Sequence, residues 1–226
     1  MTRTPSHDEA DPLGPLPRRA VSVEFVSGRS LYERVVMDLV ANAKVSVWIA
    51  TANVKELLVE PPEGAPRLRR SASMVGRSSG KRPAKSRDYV SVFEHFEALA
   101  SRGVSVRILH SGVPSQAFAE ELVSHRALLK KRSGDGEPAL AMRRCPRVHL
   151  KCVCSDGTRL YLGSANWTGA GLGAKGAGRR NFELGWIVDD ELVLDEVQAL
   201  YERIWSGAEC KGCSLREHCP QPIDEL

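Results

Sequence analysis

The stretch HLKCVCSDGTRLYLGSAN, running from His149 to Asn166, constrains this chain more than any other. Apolar residues alternate with others on both sides of Ser155, Asp156 and Gly157, and that triplet carries turn chemistry. The pattern predicts two antiparallel strands joined by a tight turn. Side chains alternate across a strand, so His149, Lys151 and Val153 share one face. Leu150, Cys152 and Cys154 take the other, which the pattern assigns to the core. Ser164 and Asn166 share a face at the end of the second strand. If the strands pair, an imidazole, an ammonium, a hydroxyl and a carboxamide converge at one end of the hairpin. Lysine and asparagine are donors that suit a phosphoryl oxygen, and a histidine can act as nucleophile or proton carrier.

The flanking sequence supplies layers for this hairpin to pack in. Val21–Val26 reads as a short strand. In SLYERVVMDLVANA, Leu31, Val35, Leu39 and Val40 fall on one helical face. KVSVWIATA is a buried strand, DYVSVFEHFEALASRG a helix stopped by Gly103, VSVRILHSG a strand, and SQAFAEELVSHRALLKK a helix. After the hairpin come a glycine-rich loop from Gly169 to Gly178, a strand NFELGWIVDD, and a helix with Val193, Val197, Leu200 and Ile204 on one stripe. Strands interleaved with helices argue for an α/β layered fold. At 226 residues the chain can bury a core without disulfides. Residues 21–206 are expected to form one domain, behind a disordered leader at 1–20 and ahead of a cysteine-rich tail at 207–226.

Charge narrows the partners only a little. The formal net charge of +4 is mild. The loop from 61 to 87 is the exception: it holds Arg67, Arg69, Arg70, Arg77, Lys81, Arg82, Lys85 and Arg87 against Glu63 alone. It reads either as a solvated, flexible insertion or as an arm that holds a polyanion. Lys175, Arg179 and Arg180 close the glycine-rich loop and are candidates for substrate contact. No apolar run reaches the length of a membrane span, and no signal peptide is evident, so a cytoplasmic protein with no membrane partner is expected.

The longer spacing of the hairpin, His149-x-Lys151, four residues, Asp156, six residues, Gly163-Ser164-x-Asn166, resembles the motif of the phospholipase D superfamily. The resemblance implies a mixed β-sheet flanked by helices and phosphodiesterase chemistry through a covalent phosphohistidine on His149. Lys151, Ser164 and Asn166 would surround the phosphoryl group, and Asp156 would belong to the motif as turn support. Glu183, in NFELGWIV, matches the family's carboxylate that orients the histidine. No cofactor is implied for catalysis. The scheme needs two histidines, and His7, His95, His110, His125 and His218 are not followed two residues later by lysine. A homodimer that juxtaposes two copies of His149 is the expected solution. A partner protein, or His110 at a strand end, are the others. Nucleic acid, DNA or RNA, is the expected substrate; a phospholipase or phospholipid transferase and a silent nucleic-acid-binding module are the alternatives.

Cys210-x2-Cys213-x5-Cys219 follows the last helix. Thiolates at this spacing suit a metal. The triplet resembles the C-terminal cysteines of iron–sulfur nucleases of the AddB type, in which one distant upstream cysteine completes a four-iron cluster. Cys152 and Cys154 should face the core, so Cys145 is the expected fourth ligand. The expected centre is structural, a 4Fe-4S cluster rather than zinc, with His218 reserved for the zinc case.

Overall fold

The computed structural model describes residues 19–62 and 89–226. The leader as far as residue 18 and residues 63–88, with every cation of the basic loop, lie outside that range. The main sheet has seven strands: β1 (Glu24–Ser27), β2 (Ser46–Thr51), β5 (Ser105–His110), β6 (Leu140–Arg144), β7 (Cys152–Ser155), β8 (Arg159–Gly163) and β9 (Leu184–Val188). Their order is β1-β9-β8-β7-β2-β5-β6. β2, β5 and β6 run parallel, and the hairpin and its neighbours are antiparallel, so the sheet is mixed. A two-stranded ribbon, β3 (Leu58–Val59) with β4 (Val90–Ser91), stands apart.

Helices cover both faces. The first begins as an α-turn, Arg29–Leu31, and continues as a π-helix, Tyr32–Val40; the two together are α1. Its wide turn is seen where the Ala41 amide donates to the Val36 carbonyl five residues back, at 3.0 Å. The expected stripe of Leu31, Val35, Leu39 and Val40 is buried, together with Tyr32 and Val36. α2 (Val92–Ser101) and α3 (Gln116–Ser124) start at serine caps, where the Ser91 and Ser115 hydroxyls accept from the Phe93 and Phe118 amides. α1, α2 and α3 pack with Val47, Ile49, Ile108, Val153 and Tyr161 on one face of the sheet.

α4 (Glu191–Trp205), capped by the Asp190 carboxylate, covers the other face with Leu194, Tyr201 and Trp205. The expected stripe is therefore turned by one residue, and Val193, Val197 and Ile204 flank the contact. Aromatic stacking sets the rotation: Trp48 lies 5.1 Å from Tyr201, and Tyr201 5.8 Å from Trp205. Each such ring contributes roughly 1.5–3 kcal/mol by burial.

Two features were not read from the sequence. The motif face of the hairpin is not open along its length. β7 is a central strand, with Val153 under α1–α3 and Cys152 and Cys154 under α4, all at 5% exposure or less. And β6, an edge strand of half-buried, partly charged residues, gave no clear alternation in the sequence.

Candidate active site

Because β7 runs antiparallel to β2 and β8, while β5 runs parallel to β2, one edge of the sheet collects five chain ends. These are the ends of β2, β5 and β8 and the lead-ins to β7 and β9. His149 and Lys151 lie just before β7, Ser164 and Asn166 just after β8, and Glu183 just before β9. The fold brings these five together where strands stop and helices do not cover them.

His149 is exposed and Lys151 half-buried. The Lys151 ammonium stands 2.9 Å from His149 Nδ1, 3.1 Å from Nε2 and 2.9 Å from the His149 carbonyl oxygen. An unprotonated ring nitrogen, which a nucleophile requires, can accept from this ammonium. Partial burial lowers the Lys151 pKa, and the negative charge of Glu183 works against that.

Asn166 is held by its oxygen. Oδ1 accepts from the Ala52 amide at 3.2 Å, the Asn53 amide at 3.1 Å and the Thr51 hydroxyl at 3.3 Å. This fixes the carboxamide's sense and leaves Nδ2 as its donor end. Thr51 completes the tie by accepting from the Trp167 amide at 2.9 Å. Thr51 went unnoticed in the sequence because a threonine ending a buried strand carries no motif signal.

Glu183 sits differently from expectation. One carboxylate oxygen accepts from the Ser164 hydroxyl and the other from Asn181 Nδ2 at 3.2 Å. Its hydrogen bonds go to these two side chains, not to His149. Ser164 also takes the Leu184 amide at 3.2 Å. Asn181 is thus a further member of the site.

Beneath the polar groups lies a floor of small residues. A Cβ on Gly163 would sit 2.3 Å from the Tyr161 hydroxyl oxygen and 2.6 Å from the Leu184 carbonyl oxygen. One on Gly185 would sit 2.4 Å from the Tyr161 ring. Tyr161 therefore lies flat across both glycines. Its hydroxyl is buried without a well-formed hydrogen bond, although the Ala165 backbone is close enough to favour the ionised form slightly. Burial dominates and pushes its pKa up to about 12.

The remaining candidates fall elsewhere. Asp156 is at the opposite end of the hairpin, with φ of 56°. Its carboxylate accepts from the amides of Lys44, Val45 and Ser46 at 2.7–3.1 Å, so it clamps the turn to the start of β2. His110 is 5% exposed, and its Nδ1 is 2.9 Å from the Gly112 carbonyl oxygen. Burial lowers its pKa, the Gly112 hydrogen bond works against that, and Arg144 adds a smaller lowering. A ring so enclosed is a poor proton shuttle for a substrate arriving from solvent. Lys175 and Arg179 are exposed on the loop between Asn166 and Glu183, and the Arg180 guanidinium donates to the Lys175 carbonyl at 2.6 Å.

The cysteines form a second locality. Cys145, Cys210, Cys213 and Cys219 all line one cavity of about 310 Å³ below α4. Burial raises the Cys145 thiol pKa, and the neighbouring Cys210 and Cys213 add to that. Among the described residues, no three His, Cys, Asp or Glu side chains converge tightly enough to grip a single metal ion.

The family described as cardiolipin synthase, PLD-like domain, matches residues 87–205, which is 119 of the 226 residues. No curated protein sequence matches. Among solved structures, NucT from Helicobacter pylori is 14% identical with a TM-score of 0.47, over 81% of this chain and 95% of its own. Nuc from Salmonella typhimurium, a phospholipase D family member, is 14% identical with a TM-score of 0.47, over 82% and 95%. Phosphatidylserine synthase of Haemophilus influenzae is 14% identical with a TM-score of 0.44, over 81% of this chain and 38% of its own.

Proposed function

The chain belongs to the phospholipase D-like family, which makes it a phosphodiesterase-type enzyme, and we propose that it is a nuclease that cleaves through a phosphohistidine on His149. The observation that carries this reading is the junction of His149, the Lys151 ammonium and the anchored Asn166 amide at one open sheet edge. A His149 ring nitrogen attacks phosphorus; the N–P bond forms as the P–O bond to the leaving group breaks. Lys151 and the Nδ2 end of Asn166 stabilise charge on the non-bridging oxygens. The leaving oxygen takes a proton from a second imidazole, which then removes one from water. That water forms the new O–P bond while the N–P bond breaks, restoring both histidines. A positioned acid of this kind adds roughly 10²–10⁴-fold.

Nucleic acid is favoured by the loop that leaves the site at Asn166 and returns at Glu183. Both its ends are rooted in the site, and it presents Lys175 and Arg179, neither paired with a carboxylate among the described residues. A polyanion spanning the site would meet these cations.

The second imidazole is supplied by a second copy of the chain. Supporting this, Phe182 just before β9 and Leu184 and Trp186 within it are exposed beside Glu183, and Phe25 on edge strand β1 packs edge-on to Trp186 with ring centroids 6.4 Å apart. Phe182 is fully exposed. An apolar stripe flanking a half-complete site suits a two-fold contact.

Labelled DNA, RNA and phospholipid vesicles test the substrate, and protein quenched in alkali or detergent, where an N–P bond survives, should carry the substrate's phosphoryl group on His149. Phospholipid turnover without nucleic-acid cleavage would establish the lipid reading instead. Tight binding without cleavage would leave a silent binding module. Trp186→Asp should give monomers and remove activity without touching the site.

A further inference from the structure

The tail after α4 has almost no core of its own. Of residues 207–226 only Gly207 and Ile223 are buried, while Leu215 and Leu226 are exposed. Yet the segment is wound into consecutive tight turns. The Cys210 amide donates to Gly207, Cys213 to Cys210, Arg216 to Cys213 and Cys219 to Arg216, at 2.9–3.2 Å. Turns of three residues place every third side chain on one side. That side reads Cys210, Cys213, Arg216, Cys219 and Pro222, and all five line the cavity below α4. A segment this short, with one buried apolar side chain, needs a staple to hold such order.

Cys145 completes the set from another part of the chain. It sits in the turn between β6 and β7, where its amide donates to the His110 carbonyl at 2.8 Å, and it faces the same cavity. The other two cysteines do not compete. Cys152 and Cys154 are buried under α4, with thiol pKa values pushed up to about 12 and about 11, and neither lines the cavity.

We propose that Cys145, Cys210, Cys213 and Cys219 bind a four-iron, four-sulfide cluster in this cavity. Spacing favours a cluster over a single ion. Zinc in a tetrahedron of thiolates would draw its sulfurs to about 3.8 Å from one another, from bonds of about 2.3 Å. The four cysteines instead share the wall of one cavity of about 310 Å³, and among the described residues no three His, Cys, Asp or Glu side chains close on one point. His218, the residue zinc would recruit, is exposed and does not line the cavity. Charge is compatible: four thiolates around such a cluster leave a net negative centre, and the cavity wall holds Arg144 and Arg147, with Arg216, itself paired with Asp224 and Glu225, against Glu209.

The cluster would act on the catalytic edge through the backbone. Residues 144–148 line the cavity, and His149 follows directly. Ligation of Cys145 therefore pins the connector that presents the nucleophile, and ties the tail to it across 65 residues from Cys145 to Cys210.

Metal content decides the matter independently of any cleavage activity. Full-length protein made anaerobically should be brown and hold about four iron and four acid-labile sulfide per chain. Cys145→Ser, Cys210→Ser, Cys213→Ser and Cys219→Ser should each drop iron below about one per chain, while Cys154→Ala keeps the full complement. Removing the cluster should raise amide exchange at residues 145–151 and in the tail, but not in β2 or β5. Stoichiometric zinc without sulfide overturns the proposal. So does folded protein that takes up no iron and sulfide on anaerobic reconstitution, or full iron in any one of the four serine variants. If a serine variant does not fold, the stoichiometry of the unaltered chain decides alone.

Discussion

At the turn end of the β7–β8 hairpin, polar groups are used up; at the open end, roughly 17 Å away by strand rise, they are left over. Asp156 spends its carboxylate on three backbone amides of the β2 lead-in. Asn166 spends its oxygen the same way, on the far end of the same strand, but keeps its Nδ2. Lys151 spends part of its ammonium on His149. Residues that read as one motif along the chain thus divide into a fastening at one end and a reactive set at the other. The hairpin is held at both ends of β2, which fixes the spacing between strand ends on which the chemistry depends.

The comparison breaks most sharply at His149. His149→Ala should lower cleavage by about 10⁴-fold or more, with the melting temperature unchanged within about 2 °C, since the ring is exposed. Residual turnover near wild type would remove the phosphohistidine mechanism. Asn166→Asp is the next largest and separates two jobs within one side chain. The carboxylate still accepts from Ala52, Asn53 and Thr51, so stability should hold within about 1 kcal/mol. The lost donor and added charge should cost about 10²–10³-fold in rate. A fully active Asn166→Asp enzyme would show that Asn166 is a fastening only.

Asp156→Ala should show the opposite split. Removing a carboxylate that takes three amides should cost about 2–3 kcal/mol, read as a fall of roughly 5–10 °C in melting temperature. The rate per folded molecule should not change. A loss of rate at full stability would move Asp156 into the chemistry.

These splits also mark what the sequence alone can convey. The α/β class, the presence of α4 and the convergence of His149, Lys151, Ser164 and Asn166 follow from periodicity and spacing, because a buried hairpin leaves side chains few places to go. The register that puts Glu183 on Ser164 and Asn181 does not follow, since it depends on how β9 pairs with β8 and on how a loop closes. β6 was invisible because an edge strand is half-exposed and needs no alternation. The burial of both faces of β7 was hidden by His149 and Lys151. They lie just outside the strand, so their polarity says nothing of the residues within it.

A smaller effect comes from pH. Burial holds the Lys151 pKa below its usual 10.5. The unfolded chain keeps this proton to higher pH than the folded one. Stability is therefore handicapped below the folded pKa and recovers as pH rises towards 10.5. Activity moves the other way, since the ammonium is lost. The alkaline limb of the rate profile should fall earlier than an ordinary lysine would set it. Lys151→Arg, always charged, should move that limb to higher pH at a lower maximum rate. An unmoved limb would assign it to another group.

The smallest expected effect tests the floor between the two ends. Tyr161 lies across Gly163 and Gly185, and its hydroxyl is buried without a proper partner. If the ring serves only to fill the space those glycines leave, the hydroxyl is a burden, because desolvation of an unpaired polar group is not recovered. Tyr161→Phe should then keep the rate within about two-fold and hold or raise stability by up to about 1 kcal/mol, measured by denaturant titration alongside turnover. Gly163→Ala supplies the contrast. Its Cβ would meet the Leu184 carbonyl oxygen at 2.6 Å whatever stands at position 161, so the Tyr161→Phe background should not rescue it. A large loss of rate in Tyr161→Phe at unchanged stability would mean that the hydroxyl reaches the phosphoryl group through the floor. The reactive end of the hairpin would then extend one layer deeper than His149, Lys151 and Asn166.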